Sequence, residues 1–396
     1  MPIESPFHPR TSRLCTSLRY KDWSGYHAVC RYDTYHEREY FAFRHAAGLI
    51  DVTPLFKYNV HGPDTAAFLS HIMVKNIAKL KLGQVTYCCW CDDRGKLLDD
   101  GTVWRLEDTY FRVTAAEPSL AWFEKNKRGY DVTIEDVTDR LGALSLQGPT
   151  SREILKNASD ANLDELKFFR LTPATIDGFD VIITRTGYTG DLGYEIWVEN
   201  ENACKLHDAL MDAGKHHGIE PAGLDAMDIT RVEAGFIMNG IDYYSANHCL
   251  IDKRMSTPYE ASLGWTVNLK RDPFIGQEAL KLEKQQGPKR EFVGLVLDWD
   301  EYETLQAAQG LPPEICSEAW RESRPVYAQD GHQVGYATSG SWSPILKQNL
   351  ALATINTPHG EIGNKLKIEV TVEYERKRIT ATVTKKPFFD PPRKRS

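Results

Sequence analysis

The sequence predicts an α+β protein of more than one domain that closes in a β-rich unit. Three observations carry this: a glycine-rich strand, turn and strand at residues 180–198, helical and strand patterns upstream without repeated βαβ units, and a last third built of short strands. A chain of 396 residues exceeds what one hydrophobic core usually serves, so two or three domains are expected. With 41% hydrophobic and 26% charged residues the composition is that of an ordinary globular protein. A net charge of -7 argues against generic nucleic-acid or membrane-surface binding and points to a small binding partner.

No apolar run approaches transmembrane length. The first residues, MPIESPFHPR, have neither an apolar signal core nor an acid-free, arginine-rich transit pattern, so a cytoplasmic enzyme is expected. Residues 35–47 (YHEREYFAFRHAA) have the mixed charge and apolar spacing of a helix, with Gly48 as its stop. Residues 49–64 (LIDVTPLFKYNVHGPD) alternate like a strand that runs into a Gly-Pro turn, and residues 65–71 (TAAFLSH) read as a short helix. GQVTYCCWCDD at 83–93 reads as a strand. Its Cys88 and Cys91 form a C-x-x-C, but residues three apart on a strand face opposite sides and no second pair completes a site, so no metal is expected. The eight cysteines are read as free thiols in a reducing compartment. The polar run 281–290 (KLEKQQGPKR) is the linker candidate. Beyond it EFVGLVLDW, VGYATS, LALATI and the alternating KLKIEVTVEY predict a β-barrel or sandwich.

Three segments could carry chemistry. In RTGYTGDLGYEIWV, residues 185–198, Gly187, Gly190 and Gly193 allow positive φ and close backbone approach. This is not a phosphate loop, which would place its glycines between strand and helix or end in Gly-Lys-Ser/Thr. Period-two alternation puts Tyr194, Ile196 and Val198 on one face and Glu195 with Trp197 on the other, so a carboxylate is held among aromatics. In KLLDD, residues 96–100, Asp99 and Asp100 project to opposite faces of a strand, one toward a site and the other toward solvent or a cap. Arg231 lies in the helical pattern PAGLDAMDITRVEAG, where Asp228 can pair with it along the helix surface.

TGYTG followed by glycine, aromatic and glutamate resembles the signature of the aminomethyltransferase family, the T-protein of the glycine cleavage system and its tetrahydrofolate-dependent relatives, demethylases included. LIDV (49–52), HGPD (61–64), KLLDD (96–100), LQGP (146–149), PAGLDAMDITRVEAG (221–235), TSGSWSP (338–344) and KKPFF (385–389) follow in the family's order over nearly the whole chain. The resemblance implies three domains around a central folate cavity: residues 1–52 and 140–260 as a discontinuous folate-binding domain, 53–139 as an α+β second domain, 261–290 as a connecting segment and 291–396 as a β-barrel. It implies tetrahydrofolate as cofactor, Asp100 as the catalytic carboxylate, and Tyr87, Tyr188, Glu195 and Arg231 at the cofactor. A carboxylate such as Glu195 would accept two adjacent N–H donors of the pterin edge. Trp197, Trp342 and Phe388 are expected in the core.

The chain also departs from the T-protein pattern. Thr53-Pro54-Leu55 stands where the T-protein has Ser-His-Met, and residues 114–117 (TAAE) replace Asn-Ala-Ala-Asn. The loop 241–256 looks longer and would bring Tyr243, Tyr244 and His248 to a cavity entrance as substrate-specificity residues. These departures favour a demethylase that moves a methyl group from a small methylated donor to N5 of tetrahydrofolate. Aminomethyl transfer from a lipoylated carrier protein is the alternative. A non-catalytic folate-binding or iron-sulfur maintenance protein is the alternative of another class.

Overall fold

The β-branched run Phe179–Thr184 and the aromatic run Gly193–Glu199 pair antiparallel, with Ile183 opposite Ile196 and Thr184 opposite Glu195. In this computed structural model, which describes residues 1–396, the hairpin belongs to a six-stranded sheet. The sheet runs in the order Leu171–Ile176, Phe179–Thr184, Gly193–Glu199, Leu141–Gln147, Ala47–Asp51 and Ile219–Pro221. Strands from either side of a long middle segment therefore share one sheet. That middle segment builds a five-stranded sheet of its own from Val85–Cys91, Leu97–Arg105, Tyr110–Ala115, Phe56–His61 and Thr133–Asp136. The third unit is a closed barrel of six strands between Arg290–Leu297 and Glu375–Thr384, and closure removes its free edges.

Alternation decides what each face of the hairpin meets. Tyr194, Ile196 and Val198 enter a core with Leu155, Leu206 and Leu210 from the helices Ser151–Ala158 and Ala203–Gly214. Trp197, on the other face, joins Tyr40, Phe43 and Met227, and its ring meets Trp104 edge-on at 4.8 Å. Thus the second face of the sheet, the one carrying Glu195, looks toward the helix Leu224–Glu233 and the middle unit.

The end of that helix is a polar hub. The Glu233 carboxylate accepts from Tyr40 Oη at 2.5 Å, Arg44 Nη2 at 2.5 Å and Ser343 Oγ at 2.6 Å, and its backbone carbonyl accepts from the N–H groups of Phe388 and Phe389. Arg44 also reaches the glycine turn through the Thr189 carbonyl at 2.9 Å and Asp191 at 3.7 Å, and Asp191 pairs with Arg393 at 2.6 Å.

Four elements differ from the sequence reading. Residues 49–64 are two strands in two sheets, Ala47–Asp51 and Phe56–His61. Pro54 offers no N–H to a ladder, and the buried Lys57 ammonium fixes the turn by donating to the carbonyls of Thr53 at 2.6 Å and Leu55 at 2.8 Å. The helix Glu37–His45 stops before Gly48, which lies within a strand where the Phe43 ring leaves no room for a Cβ. Much of the polar run 281–290 forms the last turns of the helix Gln277–Gln286, anchored by the buried Leu280. A helix at Trp299–Ala308, N-capped by Asp298 Oδ1 accepting from the Glu301 N–H at 3.0 Å, was not anticipated. No helix is long and apolar enough to cross a membrane.

Candidate functional site

The hairpin holds Glu195 half-buried, with Thr186 Oγ1 donating to its Oε2 at 2.9 Å and Thr184 Oγ1 2.6 Å behind it. Burial pushes the Glu195 carboxyl above its ordinary pKa, and the two threonine hydroxyls oppose the shift. The glycines have two distinct jobs. Gly190 supplies the positive φ of the turn, +76°, whereas a Cβ on Gly187 or Gly193 would stand 2.0 or 2.1 Å from Gln147 Oε1. The space they leave lets Gln147 donate to the Thr186 carbonyl at 3.1 Å and accept from Thr189 Oγ1 at 3.0 Å, which fixes the turn from inside.

Asp100 leaves the strand Leu97–Arg105 on the side of Tyr87. Tyr87 Oη donates to its Oδ2 at 2.7 Å and Tyr243 Oη donates to Oδ1, so each carboxylate oxygen is held by one phenol. Burial raises the Asp100 pKa, while the Tyr243 and Tyr87 hydrogen bonds favour the ionised form and hold it down. Asp99 occupies the opposite pleat but does not reach solvent. It is 1% exposed, accepting from Asn239 Nδ2 at 2.8 Å and the Glu117 N–H at 2.9 Å. Burial and then the neighbouring Asp100 charge push its carboxyl well up. Both aspartates therefore anchor the loop 236–243, one through Asn239 and one through Tyr243.

Arg231 is fully enclosed. Its guanidinium donates to Asp228 Oδ1 at 2.6 Å, Asp242 Oδ2 at 2.7 Å and Ser339 Oγ at 2.8 Å. Burial pulls its pKa down, but Asp228 and Asp242 outweigh burial and the net shift is upward. The helical pairing with Asp228 thus exists alongside a second, long-range pairing. Its donors are committed to partners inside the protein, and the side chain is enclosed. Tyr188, half-buried, donates its hydroxyl to the Ile237 carbonyl and packs 5.6 Å from Phe236, clamping the same loop.

Tyr87, Asp100 and Tyr243 therefore meet directly, Tyr188 and Arg231 hold the loop that carries Tyr243, and Glu195 stands apart on the hairpin. Tyr243 is not at an entrance: it is buried and points inward. Tyr244 is half-buried beside Met255, and the exposed His248 sits 3.9 Å from Glu117, whose backbone N–H donates to Asp99. Trp197 is a core residue, and the half-buried Trp342 packs 5.3 Å from Trp299. Sequence reasoning missed Asp242, Ser339 and Trp265. Trp265 is 65% exposed and stacks 6.0 Å from the Tyr87 ring. An acid directly before a tyrosine pair in the loop was the available signal for Asp242, and the tryptophan closing TPYEASLGW was the signal for Trp265.

Residues 17–271 match the GCVT N-terminal domain, and residues 310–390 match the glycine cleavage T-protein C-terminal barrel domain. An aminomethyltransferase of Caldanaerobacter subterraneus is 35% identical over 356 residues, 89% of this chain and 87% of that protein. A trimethylamine-oxide aldolase of Ruegeria pomeroyi is 33% identical over 409 residues, covering 100% of this chain and 48% of that larger protein. The crystal structure of the glycine cleavage system aminomethyltransferase T from Bartonella henselae superposes with a TM-score of 0.83 at 25% identity, over 98% of this chain and 99% of that one. By sequence over most of its length and by fold over nearly all of it, the chain belongs to the glycine cleavage T-protein family of enzymes.

Proposed function

We propose that the protein is a tetrahydrofolate-dependent one-carbon transferase that moves a methyl group from a small methylated donor to N5 of the folate. The observation that carries this reading is Asp100, a carboxylate with each oxygen held by a phenol beside an exposed aromatic, Trp265. The residues fit a reduced folate. Glu195 is a half-buried carboxylate on the hairpin, and a carboxylate can accept from two adjacent N–H donors, as on a pterin edge. Bound tetrahydrofolate supplies the nucleophilic nitrogen that receives the methyl group. Glu195 orients it, and Asp100 stabilises the positive charge that develops on that nitrogen and takes the proton it releases.

A small methylated donor rather than a lipoyl-bound aminomethyl group is favoured by the departures at residues 53–55 and 114–117 and by similarity over the whole chain to a trimethylamine-oxide aldolase, which is named for a methylated amine oxide. The second reading, aminomethyl transfer from a lipoylated carrier protein, is favoured by the names of several relatives. Incubation with tetrahydrofolate and a panel of sulfonium, quaternary ammonium, methylamine and aryl methyl ether donors, followed by mass analysis, separates them. A 5-methyl product supports the proposal. Production of 5,10-methylene-tetrahydrofolate with ammonia, only when a lipoylated carrier is added, supports the second reading.

Glu195→Gln is expected to weaken tetrahydrofolate binding about ten- to a hundredfold, because a charge-assisted pair worth roughly 1.5 to 3 kcal/mol is lost. Calorimetry showing unchanged affinity would remove Glu195 from the folate site. A pH profile tests Asp100 separately. The rate rises with pH as Asp100 ionises, and the Tyr87 hydrogen bond lowers the pH at which it does so. Tyr87→Phe is therefore expected to move the acid limb to higher pH; a shift to lower pH contradicts the assignment.

A further inference from the structure

Asp242 ties the loop 236–243 to the barrel without touching Asp100 itself. Its side chain has no solvent exposure. Oδ2 accepts from Arg231 Nη1 at 2.7 Å and the Met238 N–H at 2.9 Å, and Oδ1 accepts from Thr338 Oγ1 at 2.5 Å and Ser339 Oγ at 2.6 Å. Thr338 and Ser339 belong to the barrel strand Gln333–Ser343, at the point where its register with Gln348–Asn356 shifts. That irregularity turns two consecutive hydroxyls toward one carboxylate, which a regular strand would not do.

The next residue, Tyr243, has its hydroxyl on Asp100. The loop that carries both is short and closed: the Asp242 N–H donates to the Met238 carbonyl at 2.9 Å and the Gly240 N–H to the Tyr243 carbonyl at 2.8 Å. A displacement of the Asp242 carboxylate is thus passed to the Tyr243 ring with little slack. We propose that Asp242 is a positioning residue through which the C-terminal barrel sets the hydrogen bond from Tyr243 to Asp100. The barrel, on this reading, contributes to the chemistry without contacting the reacting atoms. The inference rests on Asp100 acting as proposed above.

The titratable groups around Asp100 are Tyr87 and, directly opposite it, Cys89 on the neighbouring strand, Tyr243 on the loop and Tyr188 from the hairpin, with Asp99 on the reverse of its own strand and Cys88 on the reverse of the neighbouring one. Thr338 and Ser339 are not among them; Thr338 reaches Asp100 through Asp242 and Tyr243, whereas Ser339 also accepts from Arg231 Nη2 at 2.8 Å, so Thr338→Val is the cleaner of the two barrel variants. The test is the pH dependence of single-turnover rate for Thr338→Val and Ser339→Ala, alone and with Tyr243→Phe. The barrel variants are expected to raise the pH of the acid limb, in the direction of Tyr243→Phe, and to add nothing in the Tyr243→Phe background. Ser339→Thr, which restores a hydroxyl, is expected to bring the limb back.

Three results would overturn the proposal: an acid limb unmoved in both barrel variants, a shift of equal size with and without the Tyr243 hydroxyl, or a rate loss at all pH values without any shift. An acid limb that also stays put in Tyr87→Phe and Tyr243→Phe fails the Asp100 reading itself, whereas a limb that moves in those and not in the barrel variants fails only the coupling. Circular dichroism and denaturation of each variant separate loss of fold from loss of positioning.

Discussion

Asp100→Asn is expected to slow single-turnover transfer by about a hundred- to ten-thousandfold while tetrahydrofolate affinity stays within about threefold. Asparagine keeps the size and removes the charge and one acceptor. The Oδ1 and Oδ2 positions both receive a phenol hydroxyl, so in the variant one of Tyr87 and Tyr243 meets an N–H group and must turn away. Charge that matters as N5 becomes positive acts on the rate and not on ground-state binding. Asp99→Asn serves as a comparison of a particular kind. Asp99 accepts from Asn239 and the Glu117 N–H in a buried setting, so its variant tests the anchoring of the loop and is expected to lose stability as well as some rate. A near-normal rate for Asp100→Asn removes that residue from the mechanism.

Arg231→Met is expected to cost about 3 to 5 kcal/mol of stability, read from denaturant unfolding of the barrel together with the unit it packs on. The loss follows from what remains. Asp242 keeps only hydroxyl and backbone donors for a carboxylate with no exposure, and Asp228 keeps only Arg321 at 2.7 Å. Arg231 and Arg321 outweigh burial in holding Asp228 below its usual pKa, so losing one partner also makes that carboxylate easier to protonate. The alternative, that Arg231 serves chiefly to bind a ligand's carboxylate, gives the opposite pattern: an unchanged unfolding midpoint with a large loss of folate affinity.

The parts of the fold legible in the sequence were those with a period. The hairpin announced itself through β-branched runs around spaced glycines, and alternation alone separated Glu195 and Trp197 from Tyr194 and Ile196. The same rule assigned Asp99 and Asp100 to different faces. It said nothing of what those faces would meet, and so left Asp99 to solvent or a cap; that residue is buried and accepts from the Glu117 N–H. Residues 49–64 alternate across the point where the chain leaves one sheet for another, so no break in pattern marked the crossing. The loop 236–243 has no period at all. The inward direction of Tyr243 goes with Asp100, 143 residues earlier, and the enclosure of Arg231 with Ser339, 108 residues later in the barrel, distances that local spacing cannot register. That strands on either side of the middle segment share one sheet likewise has no signal in local spacing.

The hub at Glu233 has a consequence for how the molecule is made. Its contacts join residues 40 and 44, the turn at 189 to 191, the helix Leu224–Glu233, Ser343 and residues 388 to 393. Pairings this distant carry a loop-closure cost that is met only when the intervening chain has folded. On the ribosome, the segment around Phe388 and Arg393 emerges after every other partner of the hub. Until then the Glu233 carbonyl lacks the Phe388 and Phe389 N–H donors and Asp191 lacks Arg393. The three units would accordingly reach their native sheets one after another, while the joint between them closes in a single late step.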